Sequence, residues 1–184
     1  NQLNATRPVP PAFTGDAPTE MRCVEVTVDA LQERAYGHHI QRLMVLGNLA
    51  LTAGVEPWTM SEWMRVNFID GAEWVMVPNV IGMALHADGG VMASKPYVAT
   101  GKYIQRMSNY CGGCRYDPGK ACGEDACPFT TLYWDFLQRH EPLLEGNQRM
   151  ILQLQNLNRK TAAELRAIRR QAFDAGDPVQ RLDH

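Results

Sequence analysis

Apolar residues recur at helical spacing along most of the chain, and this pattern predicts an all-α fold. The longest such stretch covers residues 29–53, with Gly54 as the residue that ends it. Residues 21–28 alternate in hydrophobicity, so their secondary structure stays ambiguous. The long stretch is expected to bury one face, whose residues are Ile40, Leu43, Met44, Leu46, Leu49 and Ala50.

Shorter amphipathic stretches predict further helices. One follows an N-cap at Thr59 or Ser61, and others cover residues 102–109, 130–139 and 147–155. Residues 80–101 are rich in Gly and Ala with polar breaks, so loops and at most short helices are expected there. A last amphipathic helix closes the chain, and its main apolar residues are Leu165, Ile168 and Phe173.

The first twenty residues differ from the rest in composition. Residues 1–20 carry four of the 11 prolines and show no periodicity, which predicts an extended linker or a strap over a neighbouring domain. Residues 21–184 are expected to form one helical domain portion. Because the chain starts at Asn1 without a methionine, we interpret it as a piece of a longer protein.

Charge and hydropathy exclude two classes of partner for the chain as a whole. A formal net charge of −2 gives no overall attraction for nucleic acid or an anionic membrane, so a polyanion would need a local basic patch. No apolar run approaches the ~20 residues of a membrane span, and there is no signal peptide. Five cysteines without export signals indicate the reducing cytoplasm and metal ligation in preference to disulfides.

The cysteines form the most specific pattern in the sequence. Cys111 and Cys114 make a C-x2-C pair, and the two glycines between them allow the tight turn that brings both sulfurs to one metal centre. Cys127 is followed at once by Pro128, as is common in iron–sulfur ligation, and Cys23 lies far upstream. Zinc is commonly bound by two C-x2-C pairs, so one pair with two single thiols slightly favours an iron–sulfur cluster and leaves zinc open.

Two cysteines have an alternative interpretation. Cys122 could replace Cys127 as a ligand, although the Cys-Pro sequence favours Cys127. Cys23 could be a small buried apolar residue, as free cysteines often are.

A second polar group lies on the longest predicted helix. Side chains of adjacent helical residues point about 100° apart, so His38 and His39 do not easily bind one metal, whereas Arg42 follows about one turn later. This arrangement suggests an anionic or polar ligand inside the fold, with a histidine as general acid; the alternative is two surface histidines near a helix start. Asp70 by itself is typical of a structural ion pair, and the four tryptophans are typical of the core.

These residues together resemble the photolyase/cryptochrome superfamily, specifically the bacterial iron–sulfur cryptochromes and (6-4) photolyases. The resemblance covers about residues 5–159. It is carried by four motifs in order, YGHHIQRLMVLGN, IDGAEWVMVPNVIGM, ADGGVMASKPYVATGKYIQRMSNYC and ACPFTTLYWDFL. It implies that the chain is the C-terminal, helical FAD-binding and cluster-binding portion of such a protein, without the N-terminal antenna domain.

The resemblance also implies roles for single residues. His39 would be the proton donor near flavin and lesion, with His38 beside it, and Trp63 would pass an electron to the flavin. Met64 and Met76 stand where some relatives have an aromatic residue and a carboxylate. Three further sets follow: FAD binding by His39, Arg42, Asp70, Trp63 and Asn79; a [4Fe–4S] cluster on Cys23, Cys111, Cys114 and Cys127; and contact with DNA by Met83, Lys95, Tyr97 and Tyr103.

The implied function is light-driven repair of (6-4) lesions in DNA by the longer protein, acting as a monomer. Reduced, excited flavin would pass one electron to a pyrimidine lesion that has been flipped from the duplex. Two alternatives stay open: a cryptochrome-type blue-light photoreceptor without repair, and a non-enzymatic iron–sulfur module that binds nucleic acid. For the 184-residue piece alone we expect no repair activity.

Overall fold

The computed structural model describes residues 1–175, and these residues form helices and loops without a β-strand, which confirms the predicted all-α fold. The last nine residues of the predicted helical portion, 176–184, lie outside the described residues. The α-helices are α1 (Pro11–Thr14), α2 (Arg22–Arg34), α3 (Asn48–Ala53), α4 (Pro57–Asn67), α5 (Glu73–Val77), α6 (Gly101–Met107), α7 (Pro128–Leu144), α8 (Ile151–Leu157) and α9 (Ala162–Ala175).

Four tighter or wider helical segments complete the described chain. The first π-helix spans Gln41–Gly47 and leads directly into α3, and the second spans Pro78–Ala84 and continues α5. Short 3₁₀ helices cover Tyr110–Gly113 and Gln148–Met150. Between residues 1 and 175 each helix is too short or too polar to cross a lipid bilayer.

The prediction of one continuous helix over residues 29–53 is wrong. α2 ends at Arg34, because Ala35 adopts a left-handed conformation with φ of 49° and its N–H closes the helix on the carbonyl of Leu31. The helix resumes only at His39, and Gly37 in the break lies against the Phe68 ring. Gly54 does end α3 in a left-handed conformation, as predicted.

α4 begins earlier than predicted. Its N-cap is Glu56, not Thr59 or Ser61, and Pro57 occupies the first helical position. The Glu56 carboxylate accepts hydrogen bonds from the N–H groups of Trp58 at 3.1 Å and Thr59 at 2.7 Å. A carboxylate at this place also interacts favourably with the positive end of the helix dipole.

α7 is the central helix of the core. It packs against α3 on one side and α9 on the other, and its Phe136 and Leu137 side chains are fully buried. α9 contributes Ile168 to this core, whereas Phe173, which the pattern assigned to its apolar face, is exposed. Burial of a Phe or Leu side chain stabilises a fold by roughly 1.5–3 kcal/mol, so the α3–α7–α9 contacts hold the domain together.

Within the first twenty residues, Arg7 and Phe13 attach the segment to the helical domain. The Arg7 N–H donates to the carbonyl of Gly54 at 3.0 Å, and the Glu56 N–H donates to the carbonyl of Arg7 at 2.8 Å. Phe13 on α1 is almost fully buried against the core. The separation into a strap over residues 1–20 and a helical portion over residues 21–184 remains a prediction.

The stability of the fold is expected to depend on pH through His140. Burial first, and the nearby Arg139 guanidinium second, lower the pKa of His140 from 6.5 to about 4. The unfolded chain therefore binds more protons than the folded chain between these values, so the free energy of unfolding should fall as the pH drops from 6.5 through about 4. Urea unfolding of the wild type and of His140→Gln across this range measures the effect. The variant should show a smaller pH dependence, and an unchanged slope would contradict the assignment.

Candidate functional site

A cavity of about 230 Å³ lies between the two π-helices, α4 and α5. Four of the residues predicted to bind a cofactor line it, although they come from three separate parts of the sequence: His39, Arg42, Asp70 and Asn79. The side chains of Met64 and Met76 form part of its apolar wall. We call this cavity the helical pocket.

Close packing of the two π-helices shapes the helical pocket. A side chain on Gly47 would place its Cβ only 2.9 Å from the Cβ of Ala84, so glycine is needed where the two segments meet. The first π-helix supplies Arg42 and Leu43 to the pocket, and the second supplies Asn79 and Val80. π-Helical segments widen the backbone locally and are frequent at functional sites.

A hydrogen bond, an ion pair and two aromatic rings hold the Arg42 guanidinium in place. Its Nε donates to the carbonyl of Gly37 at 2.7 Å, and its two terminal nitrogens bind the Asp70 carboxylate at 2.9 and 3.0 Å. Its guanidinium carbon lies 4.3 Å from the centre of the Phe68 ring and 5.2 Å from that of Tyr36. Because the Arg42 guanidinium is held in one orientation, its positive charge can interact with an anionic or electron-rich ring bound in the pocket.

The two histidines have different positions. His39 begins the helix and lines the helical pocket, whereas His38 is the residue before it and does not line the pocket. The Nδ1 atom of His38 accepts a hydrogen bond from the Ile40 N–H at 3.2 Å, so His38 caps the helix. The structure therefore places His39, and not His38, where it could exchange a proton with a bound molecule.

Trp63 lies behind the wall of the helical pocket. Its ring packs against Phe13 at 5.5 Å and, edge to face, against Phe68 at 6.4 Å, and Phe68 in turn contacts Arg42. The interpretation of all four tryptophans as core residues is wrong for two of them. Trp58 and Trp74 are exposed, with relative accessibilities of 59% and 81%.

A second, smaller cavity of about 20 Å³ is lined by the four cysteines predicted as ligands, Cys23, Cys111, Cys114 and Cys127. We call it the cysteine cavity. Its other lining side chains are apolar or tyrosine, without a carboxylate or an imidazole. Gly101 forms one wall, where a Cβ would stand 2.6 Å from the Cys127 Sγ. Cys122 is exposed and lies elsewhere, near Lys160.

Burial and mutual proximity shift the acidity of these thiols. The pKa of Cys23 is raised from 9.0 to about 12 by burial first and then by the thiols of Cys127, Cys114 and Cys111. Burial likewise raises the pKa of Cys127. Within residues 1–175, no three His, Cys, Asp or Glu side chains are arranged to hold a single metal ion. One zinc ion needs every sulfur within about 2.3 Å of one point, whereas a four-iron cluster binds each thiolate through a different iron atom.

The four residues predicted to face DNA are distributed over three segments. Met83 belongs to the second π-helix and Tyr103 to α6, where Arg106 lies 5.6 Å from its ring centre. Lys95 and Tyr97 are in the loop between the second π-helix and α6. None of the four lines the helical pocket or the cysteine cavity, so their contact with DNA remains a prediction.

Sequence reasoning missed two features of this region. Tyr36 lines the helical pocket and stacks on Arg42, and its place directly before the Gly-His-His sequence could have indicated this role. A further cavity of about 200 Å³ contains the buried Asp135 with Arg139 and Arg169. No spacing rule joins α7 to α9, so the sequence carried no signal for that cavity.

Comparison with known proteins supports the resemblance found in the sequence. The chain is 49% identical over 140 residues, 76% of its length, to a protein of Agrobacterium fabrum described as a (6-4) photolyase. The chain is thus similar to a photolyase over most of its own length. The match spans 28% of the length of that photolyase. An uncharacterized protein of Acanthamoeba polyphaga mimivirus is 28% identical over 117 residues, 64% of this chain and 88% of the viral protein. No family model matches the chain.

This similarity supports the predicted relationship to the photolyases. The iron–sulfur branch of the family, the C-terminal position of the chain and the individual site residues remain predictions. His39 and the Arg42–Asp70 pair line the same cavity, the helical pocket.

Proposed function

We propose that this chain is the flavin-binding and cluster-binding portion of a light-dependent (6-4) photolyase. The observation that carries the proposal is the helical pocket, in which His39, Arg42 and Asp70 meet in a chain related to photolyases. Because the match spans 28% of the length of the Agrobacterium protein, repair is proposed for the longer protein that contains this chain.

The helical pocket offers a planar cation, an amide and an apolar wall to FAD. Arg42 and Asp70 would flank the flavin ring, and Asn79 would contribute a hydrogen-bonding amide. When bound, the reduced and excited flavin supplies one electron to the lesion. Met64 and Met76 exclude water from one side of the pocket, and a ring nitrogen of His39 would give a proton to the lesion.

The donor set of the cysteine cavity fits an iron–sulfur cluster. Four thiols without an imidazole or a carboxylate are typical of zinc or iron–sulfur sites, and one C-x2-C pair with two single thiols slightly favours the cluster. Cys23 lies on α2, Cys111 and Cys114 on the loop after α6, and Cys127 at the start of α7. A cluster at this place would tie these three elements together.

DNA is the proposed partner of Met83, Lys95, Tyr97 and Tyr103. Lys95 with the exposed Lys102 and Arg106 would contact phosphates, which supplies locally the positive charge that the chain as a whole does not have. A lesion flipped out of the duplex would then enter near His39. We propose that the protein acts as a monomer in the cytoplasm.

The deciding experiment uses the longer protein and DNA that contains (6-4) lesions. We expect a two-peaked flavin absorption spectrum and light-dependent repair in the wild type. His39→Ala should abolish repair even where flavin is bound. His38→Asn should retain repair, because asparagine preserves the helix cap.

Other outcomes would reject the proposal in favour of a different function. A flavin-containing protein that signals in light without repairing the lesion would be a cryptochrome-type photoreceptor. DNA binding with iron but no flavin would indicate an iron–sulfur nucleic-acid-binding module. If the protein contains zinc and no iron, the cluster part of the proposal is wrong. The flavin absorption spectrum would then decide the flavin part separately.

A further inference from the structure

A short series of hydrogen bonds connects the cysteine cavity to the histidines. The Gln41 Nε2 donates to the hydroxyl of Tyr110 at 2.9 Å. The Gln41 Oε1 accepts a hydrogen bond from the His38 backbone N–H at 2.8 Å. The bond between Gln41 and Tyr110 joins residues that are 69 positions apart in the sequence.

Tyr110 is part of the wall of the cysteine cavity. It directly precedes Cys111, both residues belong to the 3₁₀ helix Tyr110–Gly113, and both line the cavity. The Tyr110 ring also packs against the core. Because only one peptide unit separates the two residues, the position of the Tyr110 backbone depends on that of Cys111.

Gln41 holds the start of the helix that carries His39. The side chain of Gln41 reaches back to the N–H of His38, while Nδ1 of His38 accepts from the Ile40 N–H. This is the reciprocal arrangement of a capping box, with Gln41 at the third helical position. The arrangement fixes the direction in which the chain enters the helix at His39, and hence the position of His39 at the helical pocket.

We infer that Gln41 is a positioning residue that couples the cysteine cavity to the helical pocket through Tyr110 and His38. When the 3₁₀ helix Tyr110–Gly113 is ordered, the Tyr110 hydroxyl stays in place and orients the Gln41 amide. The Gln41 amide in turn holds the start of the helix at His39. The coupling is reciprocal, so a ligand in the helical pocket also stabilises this 3₁₀ helix. The inference rests on the proposed function for the identity of the two ligands, which are FAD in the helical pocket and an iron–sulfur cluster in the cysteine cavity.

The chain offers a matched control for this connection. Tyr116 lines the same cavity, but its hydroxyl donates to the Glu20 carboxylate at 3.3 Å and not to Gln41. Tyr110→Phe and Tyr116→Phe each remove one hydroxyl from the cavity wall and keep the ring. Only the first of them breaks the connection to His38.

The experiment compares these two variants and Gln41→Met in the full chain within the longer protein. Hydrogen–deuterium exchange of the backbone around His38 is measured without flavin, and FAD affinity is then measured by fluorescence titration. We expect faster exchange and at least about fivefold weaker FAD binding for Tyr110→Phe and Gln41→Met. Tyr116→Phe should match the wild type in both measurements.

A double variant tests whether the two residues act together. Tyr110→Phe combined with Gln41→Met should be no weaker in FAD binding than Gln41→Met alone, because Gln41→Met already removes the hydrogen bond to Tyr110. Additive losses, or equal effects of Tyr110→Phe and Tyr116→Phe, would overturn the inference. A wild type that binds no FAD would instead refute the proposed function, while the exchange measurement alone would still decide whether Tyr110 and Gln41 hold the helix start.

Discussion

Asp135→Ala should lower the free energy of unfolding by about 3 kcal/mol, because it leaves two guanidinium groups beside an empty, buried space. The Asp135 carboxylate on α7 is almost fully buried, with a side-chain accessibility of 6%. It accepts hydrogen bonds from Arg139 Nε and from Arg169 on α9, both at 2.7 Å. Arg139 also donates to the carbonyl of Thr52 on α3 at 2.6 Å. Loss of the Asp135 carboxylate should therefore weaken the contacts among α3, α7 and α9.

Urea unfolding measures this effect, and Glu62→Gln provides the control. Glu62 binds Arg65 at 2.9 Å within α4, but both side chains are largely in water. Exposed pairs of this kind contribute little to stability, so the control should leave the free energy of unfolding almost unchanged. Equal losses in the two variants would show that Asp135 has no special part in the core.

Helical periodicity predicted the fold class and most helices, because an amphipathic helix records its buried face in the sequence. It could not predict the break between α2 and the first π-helix. Ala35 is of the residue type with the highest helix propensity, yet it is left-handed here, and Gly37 two residues later lies against the Phe68 ring. Tertiary contacts outweighed local preference at this position.

The candidate site was predictable to different degrees at its different residues. The spacing of His39 and Arg42 on one helix placed both at the same pocket, as local periodicity can. Asp70 reads from the sequence as an ordinary ion-pair residue, and its place opposite Arg42 followed from the family resemblance alone. The capping role of His38 was missed, because histidine is not among the preferred N-cap residues.

In the cysteine cavity too, local sequence patterns do not report contacts between distant segments of the chain. The spacing between Cys111 and Cys114 is local and indicates a shared centre, but nothing in the sequence measures the distance from Cys23 to that pair. The packing of α2 beside the 3₁₀ helix brings them to one cavity. The same packing leaves Cys122 on the surface, which separates it from Cys127 more clearly than the sequence argument did.

Cys127→Ser should lose all bound iron, whereas Cys122→Ser should keep the iron content of the wild type. The Cys127 thiol is buried in the cysteine cavity at the start of α7, and serine is a far poorer ligand for iron than thiolate. Because a cluster there would join α2 to α7, the Cys127 variant should also lose solubility.

The measurement is iron per protein chain together with the broad visible absorption of the cluster. Cys122 is the matched control, because it belongs to the same loop as Cys127 but is exposed and faces Lys160. Iron loss in Cys122→Ser, or full iron retention in Cys127→Ser, would show that the thiols of the cysteine cavity are not the ligands. Loss of iron from Cys127→Ser with FAD retained would place the cluster and the flavin in separate sites, as the two cavities require.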